Sequence, residues 1–370
     1  MFSEKAKKNF ENCRFCWMCR YICPVGLQTG SELNNARAKA LLISYAVRGQ
    51  KFDESFAEAM YQCCLCAACS QDCATGFEPP VYIREARTEA VVNDVVPPNV
   101  QNIITSVLDN DNIFGVKAEE ASNRLKSLLP DAREKAEVLI YVGHSALCRA
   151  PEIAKAFIAL CGKAGIDFTI LHDEGQSGAE LGDLIGYVEE TVDKAKMVAE
   201  KINATGAKKV VPLDPNCTRV MRQEYPAWEC GLKPEVQTAT AFMAELIREG
   251  KLRPGKIETG LTTFHDPCKL SRDLDEVNEA REILSAMGIH ITEMLLNRKW
   301  TKCCGTEILK AHSPNITELT AGGRWDDARR LGIRTMVTAC PGCYDVLGEH
   351  TPEGMEVKDI FMMLAEACRC

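Results

Sequence analysis

The residues best placed to do chemistry are cysteines. The chain has 20 of them in 370 residues, in tight groups with long gaps between. The first group is Cys13-x2-Cys16-x2-Cys19-x3-Cys23-Pro24 and the second is Cys63-x2-Cys66-x2-Cys69-x3-Cys73. Each has the spacing with which bacterial ferredoxins hold [4Fe–4S] clusters. Three thiolates two residues apart wrap one corner of a cube on a single turn of chain. The fourth must come from elsewhere, and in two-cluster proteins it comes from the other run. The spacing therefore assigns Cys13, Cys16, Cys19 and Cys73 to one cluster, and Cys63, Cys66, Cys69 and Cys23 to a second. Zinc also binds CxxC pairs, but its four ligands give no reason for a third step and a distal cysteine, twice over. The second run has Ala74 where the first has Pro24, and Cys64 lies outside the pattern and reads as a packed thiol.

The third group is Cys268-x34-Cys303-Cys304-x35-Cys340-x2-Cys343. Five cysteines exceed what one tetrahedral zinc can use. The adjacent pair Cys303 and Cys304 leaves one stretch of backbone in different directions, so it can bridge metals or serve two irons. On spacing alone, a zinc site from Cys340, Cys343 and two others stays open. His265 stands three residues before Cys268 and is the candidate catalytic residue, as a proton donor near this group. The plainer reading is a structural histidine, and His144 holds the similar place before Cys148. Cys161 and Cys230 match no motif and read as core residues, Cys368 and Cys370 as exposed thiols.

The elements that must carry these cysteines follow from pattern. Residues 1–95 read as a helical domain. Ser31 is its candidate helix cap, with Leu33, Ala36, Ala40, Ile43 and Val47 at helical spacing and Gly49 as the stop, and Glu54 to Tyr61 forms a second helix. Residues 96–137 read as a connecting segment, broken by Pro97-Pro98, looped at residues 109–112 and charged thereafter. An internal repeat follows, over 138–255 and 256–370. In the first copy, strands at 138–142, 168–171 and 210–213 alternate with helices. In the second, strands at 261–264, 290–294 and 335–338 do the same. Cys148 and Cys268 are 120 apart, Gly178 and Gly305 are 127 apart, and Cys217 and Cys343 are 126 apart. Strands alternating with helices predict parallel α/β units, with cysteines at strand ends converging on one edge.

Composition removes other classes. The formal net charge is −8, from 44 basic and 52 acidic side chains, and no long basic run suggests a nucleic-acid partner. No apolar run is long enough to span a bilayer, so membrane contact, if any, is peripheral. The N-terminus lacks the apolar segment of a secretory signal, which makes a cytoplasmic location the expectation. No GxGxxG opens a helix after a strand, so the sequence offers no flavin or nicotinamide fingerprint of its own.

The stretches His265-Asp-Pro-Cys268-Lys-Leu-Ser-Arg272, Cys303-Cys304-Gly305 and Thr338-Ala-Cys340-Pro-Gly-Cys343 follow two ferredoxin runs. With that layout, the whole chain resembles the heterodisulfide reductase-like iron–sulfur subunits. Relatives of that family include the iron–sulfur subunits of anaerobic glycerol-3-phosphate dehydrogenase, glycolate oxidase and the lactate-utilisation system. The resemblance implies an α-helical ferredoxin domain followed by two α/β cysteine-rich (CCG) repeats related by internal pseudo-symmetry. It implies two [4Fe–4S] clusters and a further iron–sulfur cluster, a non-cubane [4Fe–4S], on Cys268, Cys303, Cys304, Cys340 and Cys343. It implies an oxidoreductase acting as the electron-transfer subunit of a complex with a flavoprotein dehydrogenase or reductase. The alternative is a catalytic subunit that reduces a disulfide-type substrate or a quinone at its C-terminal cluster. The first repeat departs from the family pattern, with Gln176-Ser177 for the cysteine pair and Asp214 for the first cysteine of the last motif. That leaves Cys148 and Cys217, which predicts a degenerate, supporting repeat. A zinc site from Cys148, His172, Asp214 and Cys217 is the sharper alternative.

Overall fold

A computed structural model of the chain describes residues 2–14 and 16–370. Up to residue 95 the described residues contain helices and turns and no strand. The helix Ala36–Val47 buries Ala36, Lys39, Ala40 and Ile43 on one face. Its cap is Asn35, whose Oδ1 accepts from Ala38 N–H at 2.9 Å. The expected cap, Ser31, precedes a short 3₁₀ turn and makes no capping bond. Leu33 and Val47 are exposed, because the helix begins later than the apolar spacing suggested. The second expected helix, Glu54–Tyr61, forms with Asp53 as its cap.

The connecting segment is helical. Pro98 opens the helix Pro98–Asn110, where a proline lacks nothing by having no N–H. A further helix, Ala118–Leu128, runs through the charged stretch and buries only Ala121 and Leu125.

Two separate parallel sheets follow. The first contains β1 (Val138–Tyr141), β2 (Phe168–Thr169), β3 (Lys209–Pro212) and β4 (Glu235–Val236), in the order β2-β1-β3-β4. The second contains β5 (Thr262–Phe264), β6 (Thr335–Thr338) and β7 (Glu356–Asp359), in the order β5-β6-β7. Strand β1 pairs with β3 from Val138 opposite Lys209 to Tyr141 opposite Pro212, and β5 pairs with β6 from Thr262 opposite Thr335. The expected strand at 290–294 is reduced to a single bridge, Thr262 to Ile291, and β4 and β7 were not foreseen. Both are short or largely solvent-facing edges, which leave little hydrophobic alternation to read.

The sheets share one core. Phe157 of the helix Pro151–Lys163 meets Phe361 of the helix Ile360–Cys368 edge to face, with centroids 5.1 Å apart. That core also takes in Cys161 and Cys368. Cys161 is thus the core residue expected, whereas Cys368 is buried and not exposed as anticipated, because the last helix turns its apolar face inward.

The helical domain is anchored to the first sheet unit through the helix Pro79–Val92. Tyr61 Oη donates to Leu184 O at 2.9 Å and Thr88 Oγ1 to Ile185 O at 2.8 Å. Arg84 holds Asp183 from Nε and Nη2, both at 3.0 Å, in a buried pair. Asn216 Nδ2 donates to the other Asp183 oxygen at 3.1 Å. Burial alone would raise the Asp183 carboxyl, but Arg84, Lys269, Arg219 and Arg87 hold it well below the usual carboxylate range. A depressed carboxyl gives stability that is present above its ordinary value and lost as pH falls. Asp183→Asn leaves Arg84 buried without its counter-charge, a change worth about 3 kcal/mol. Urea denaturation should show that gap at pH 7, and show it closing as pH falls below about 4. A gap that is constant across this range would rule the ion pair out as its source.

Candidate functional site

The two ferredoxin-type runs fold alike. In each, the residue after the second cysteine is left-handed, Trp17 at φ 72° and Ala67 at φ 58°. A short helical turn follows, Met18–Tyr21 in one and Ala68–Gln71 in the other. That reversal turns the cysteines of a run towards one another. Cys19 lies with Cys13 and Cys16, and burial above all pushes its thiol up to about 11. Cys73 shares a hydrogen bond with Thr75 Oγ1 at 3.2 Å, and Thr75 donates to Asn12 O at 3.0 Å, beside Cys13. Cys16 is exposed. This is the outer group.

Cys23 leaves its own run. It caps the helix Pro24–Thr29, its Sγ accepting from Gly26 N–H at 3.4 Å. Its thiol is pushed up to about 12, by burial first, with Cys66 and Cys63 as charged neighbours. Cys69 has Cys66, Cys63 and Cys23 around it, and Cys19 beyond them. Cys23, Cys63, Cys66 and Cys69 make the inner group. Burial raises the thiols of Cys23 and Cys69, and burial with a hydrogen bond to Cys303 raises that of Cys66. Four adjacent thiolates become tolerable only around a multiply charged cation, and four-thiolate sets of this spacing fit a [4Fe–4S] cluster.

The third group is gathered by the second sheet. Cys268 Sγ lies 3.9 Å from Cys303 Sγ, and Cys304 Sγ lies 3.5 Å from Cys343 Sγ. Cys340 caps the helix Pro341–Glu349, accepting from Cys343 N–H at 3.4 Å. Hydrogen bonds from Cys303 and Cys343 pull the Cys304 thiol below its ordinary value. Cys64 and Cys66 lie in the same buried cluster as Cys268, Cys303, Cys304 and Cys343. The inner group and the third group therefore abut, and Cys64, set aside by its spacing, lies on the seam.

A ring nitrogen of His265 and the sulfurs of Cys304 and Cys343 lie within 4.8 Å of one another. His265 Nδ1 accepts from Arg324 Nε at 3.1 Å. A guanidinium only donates, so Nδ1 is bare and the hydrogen sits on Nε2. Burial, then the Arg324 charge, pushes His265 down to about 3. The side chain is a neutral N–H donor, whose Nε2 has no other protein partner. A protonated Nε2 does not ligate iron.

A cavity of about 100 Å³ separates the two sheet units. The second unit contributes Cys268, Cys303, Cys304, Cys343 and Glu307, and the first contributes Ser145, Gln176, Ser177, Glu180, Asp214 and Cys217. Burial pushes Glu180 up to about 8 and raises Glu307 well above the carboxylate range. Cys148 does not line the cavity but packs at the edge of the core. His172 Nε2 is engaged by Leu129 O at 2.9 Å. The alternative zinc set of Cys148, His172, Asp214 and Cys217 is therefore not brought together. From this part of the first unit it is Ser145 that lines the cavity, its Oγ donating to Glu307 Oε2 at 2.5 Å. Asp214 instead caps the helix Pro215–Arg219, accepting from Asn216 N–H at 2.6 Å, the same task Cys340 performs.

Sequence reasoning missed four cations. Arg87 Nη2 donates to Cys63 O at 2.7 Å, Lys269 Nζ to Leu65 O at 2.8 Å, and Arg272 Nε to Cys66 O at 2.6 Å. Lys39 is buried beside Cys63 and Cys23. The available signal was a charge on an apolar helix face, as for Lys39 between Ala36, Ala40 and Ile43.

Fold and site define a cysteine-rich protein with two ferredoxin-type groups and a CCG-type centre. Residues 262–348 match the family described as a cysteine-rich domain, CCG. The chain is 25% identical over 384 residues to one of the subunits of the dihydromethanophenazine:CoB–CoM heterodisulfide reductase of Methanosarcina acetivorans, covering 96% of this chain and 93% of that one. It is 26% identical to a probable iron-sulfur-binding oxidoreductase, FadF, of Bacillus subtilis, covering 84% and 46%. It is also 26% identical to the EtfAB:quinone oxidoreductase of Syntrophomonas wolfei, covering 99% and 59%. A hypothetical protein from Helicobacter pylori shares the fold, with a TM-score of 0.56 and 9% identity over 99% of this chain and 73% of that one. The resemblance to the heterodisulfide reductase-like iron–sulfur subunits is borne out. The chain spans nearly all of the first of these relatives and about half the length of the other two.

Gly305 shows why the pair is followed by glycine. Its φ is +119°, and a Cβ there would lie 3.0 Å from the Thr317 side chain. Gly305→Ala should destabilise the fold by about 2 kcal/mol or more, read as a lowered urea midpoint. An unchanged midpoint would show that the turn tolerates a side chain.

Proposed function

We propose that the chain is the iron–sulfur electron-transfer subunit of an oxidoreductase complex, relaying electrons between a flavoprotein partner and its C-terminal cysteine group. Its relatives are named reductases or oxidoreductases, several of them as subunits of larger complexes. The observation that carries the reading is the single buried cluster that holds Cys64 and Cys66 together with Cys268, Cys303, Cys304 and Cys343, bridged by Lys269 to Leu65 O and Arg272 to Cys66 O. Through it, and through Cys19 and Cys69, which pack against one core cluster, thiols run from exposed Cys16 to the cavity wall in three groups.

In this reading Cys13, Cys16, Cys19 and Cys73 hold one [4Fe–4S] cluster, and Cys23, Cys63, Cys66 and Cys69 hold the second. Cys268, Cys303, Cys304, Cys340 and Cys343 hold a third, non-cubane cluster. Such groups supply one-electron chemistry. The two cysteine-rich repeats, 138–255 and 256–370, then differ in role. The second holds the cluster, and the first closes the cavity with Ser145, Gln176, Ser177 and Asp214. His265, kept neutral by burial and then by Arg324, orients an N–H towards the sulfurs of Cys304 and Cys343. A second reading, direct reduction of a small disulfide or quinone at this cavity, is favoured by the enclosed space itself. Glu180 Oε2 and Glu307 Oε1 line it without hydrogen-bond partners.

Anaerobically purified protein should contain about twelve irons per chain, falling to about eight in Cys304→Ser. Iron analysis with EPR checks both numbers. About eight irons together with one zinc in the parent would sink the third cluster. Thiol-dependent activity in the isolated chain would favour the second reading over the relay.

A further inference from the structure

We infer that the surface around Cys16 is the docking face for an acidic flavoprotein, which seats on Trp17, Met18 and Tyr21 and is drawn in by Arg14, Arg20 and Arg37. The inference rests on the relay reading above and adds where, and by what chemistry, the partner meets the chain.

Three observations carry it. First, the turn Met18–Tyr21 has no fully buried side chain. Trp17 is 40% exposed, Met18 49% and Tyr21 69%, and Cys16 beside them is exposed as well. The core of the helical domain is made by other side chains, among them Phe10, Ala40 and Ile43. Large apolar side chains gathered on one exposed turn mark a surface that something covers. Aromatic residues, methionine and arginine are also the types that protein interfaces collect.

Second, the charge about this turn is positive. Arg37 lies over the Trp17 ring, its guanidinium carbon 3.8 Å from the centroid, and that of Arg20 is 5.5 Å away. Both pair with Glu32, at 3.5 and 3.1 Å, so two cations share one carboxylate. Arg14 is exposed, and its guanidinium donates to a backbone carbonyl, Glu11 O, at 2.8 Å. The acidic neighbour of the outer group is Asp72, beside Cys73. It belongs to the second cysteine run, whereas the cations belong to the first. Residues 1–51 hold nine lysines and arginines against three glutamates, or +6, and the other residues hold 35 basic against 49 acidic side chains, or −14. An acidic protein is thus repelled by most of this chain and drawn to the segment that carries the outer group.

Third, the turn stands at the open end of the thiol path. Cys16 is exposed, whereas Cys66, Cys268, Cys303, Cys304 and Cys343 are buried. Electron transfer slows steeply with distance, so a carrier protein has to come to the exposed end. An anionic lipid surface also takes aromatic and basic side chains, but it exchanges no electrons with the group beneath them.

The test is stopped-flow reduction of the iron-loaded full chain by the hydroquinone of flavodoxin, a small acidic flavoprotein. The hydroquinone loses one electron and an iron–sulfur group of the chain gains it. The rate constant should fall about tenfold between low salt and about 0.5 M salt. Arg14→Glu and Arg20→Glu should each lower the low-salt rate several-fold and flatten the salt dependence. Arg14→Glu carries the charge test if Arg20→Glu, which sets a second carboxylate beside Glu32, fails to assemble. Tyr21→Ser should slow the reaction at every salt concentration and leave the salt dependence in place. The extent of reduction by excess dithionite should be the same in all of these variants. A flavodoxin rate indifferent to salt and to both charge reversals overturns the docking face and leaves the relay intact. So does sedimentation of the parent chain with phosphatidylserine vesicles that Tyr21→Ser abolishes, which would make the surface a lipid contact. A parent chain that dithionite does not reduce overturns the relay, and the inference with it.

Discussion

The fold turns on the carbonyl oxygens of one short loop. Residues Cys63 to Cys66 must turn sharply, with Leu65 left-handed at φ 48°, to aim their thiols inward. A chain bent that way forms no ladder or helix, so its carbonyls would be buried and unpaired. Arg87, Lys269 and Arg272 answer three of them. One of these cations comes from the helical domain and two from the turn that follows Cys268. The same bonds that satisfy the loop therefore fix the helical domain against the second sheet unit. A hinge between the two would break charge-assisted hydrogen bonds in the interior. The seam between Cys64–Cys66 and the cysteines of the second unit is held by these same bonds.

The two sheet units build the same cavity from opposite chemistries. The second unit offers sulfur. The first offers hydroxyl, amide and carboxylate groups at corresponding ends of its strands. Asp214 shows how this substitution is accommodated. Cys340 has two tasks, capping a helix and presenting a thiol, and aspartate is a better cap than cysteine. Losing the thiol function while keeping the cap leaves the helix start intact. The first unit thus starts its helix without a thiol, and it gives the cavity a polar wall.

Much of the site was legible because ligand spacing is local. The two ferredoxin runs sit on tight turns whose geometry repeats wherever the spacing repeats, and Glu54–Tyr61 and Thr335–Thr338 were read to their ends. What failed was less local. The cap of the helix Ala36–Val47 moved from Ser31 to Asn35 because a 3₁₀ turn intervened. Cys148 was matched to Cys268 by sequence offset, yet a different loop length after the strand puts Ser145 at the cavity. Residues 118–128 form a helix despite a charged, weakly apolar sequence, because two buried side chains suffice to dock it. Buried cations were hardest to see. A lysine or arginine reads as surface unless its carbonyl partners, some of them about 200 residues away, are known.

Those cations also bear on why the inner group sits where it does. An anionic centre in a protein interior is costly unless opposite charge is fixed nearby, and unpaired cations in an interior are costly for the same reason. Lys39, Arg87 and Arg272 lie beside Cys23, Cys63, Cys66 and Cys69, and carbonyl oxygens take their N–H groups. Charge on either set lowers the cost of burying charge on the other. The inner group is thus placed where the fold already holds fixed cations, whereas the outer group opens to solvent at Cys16.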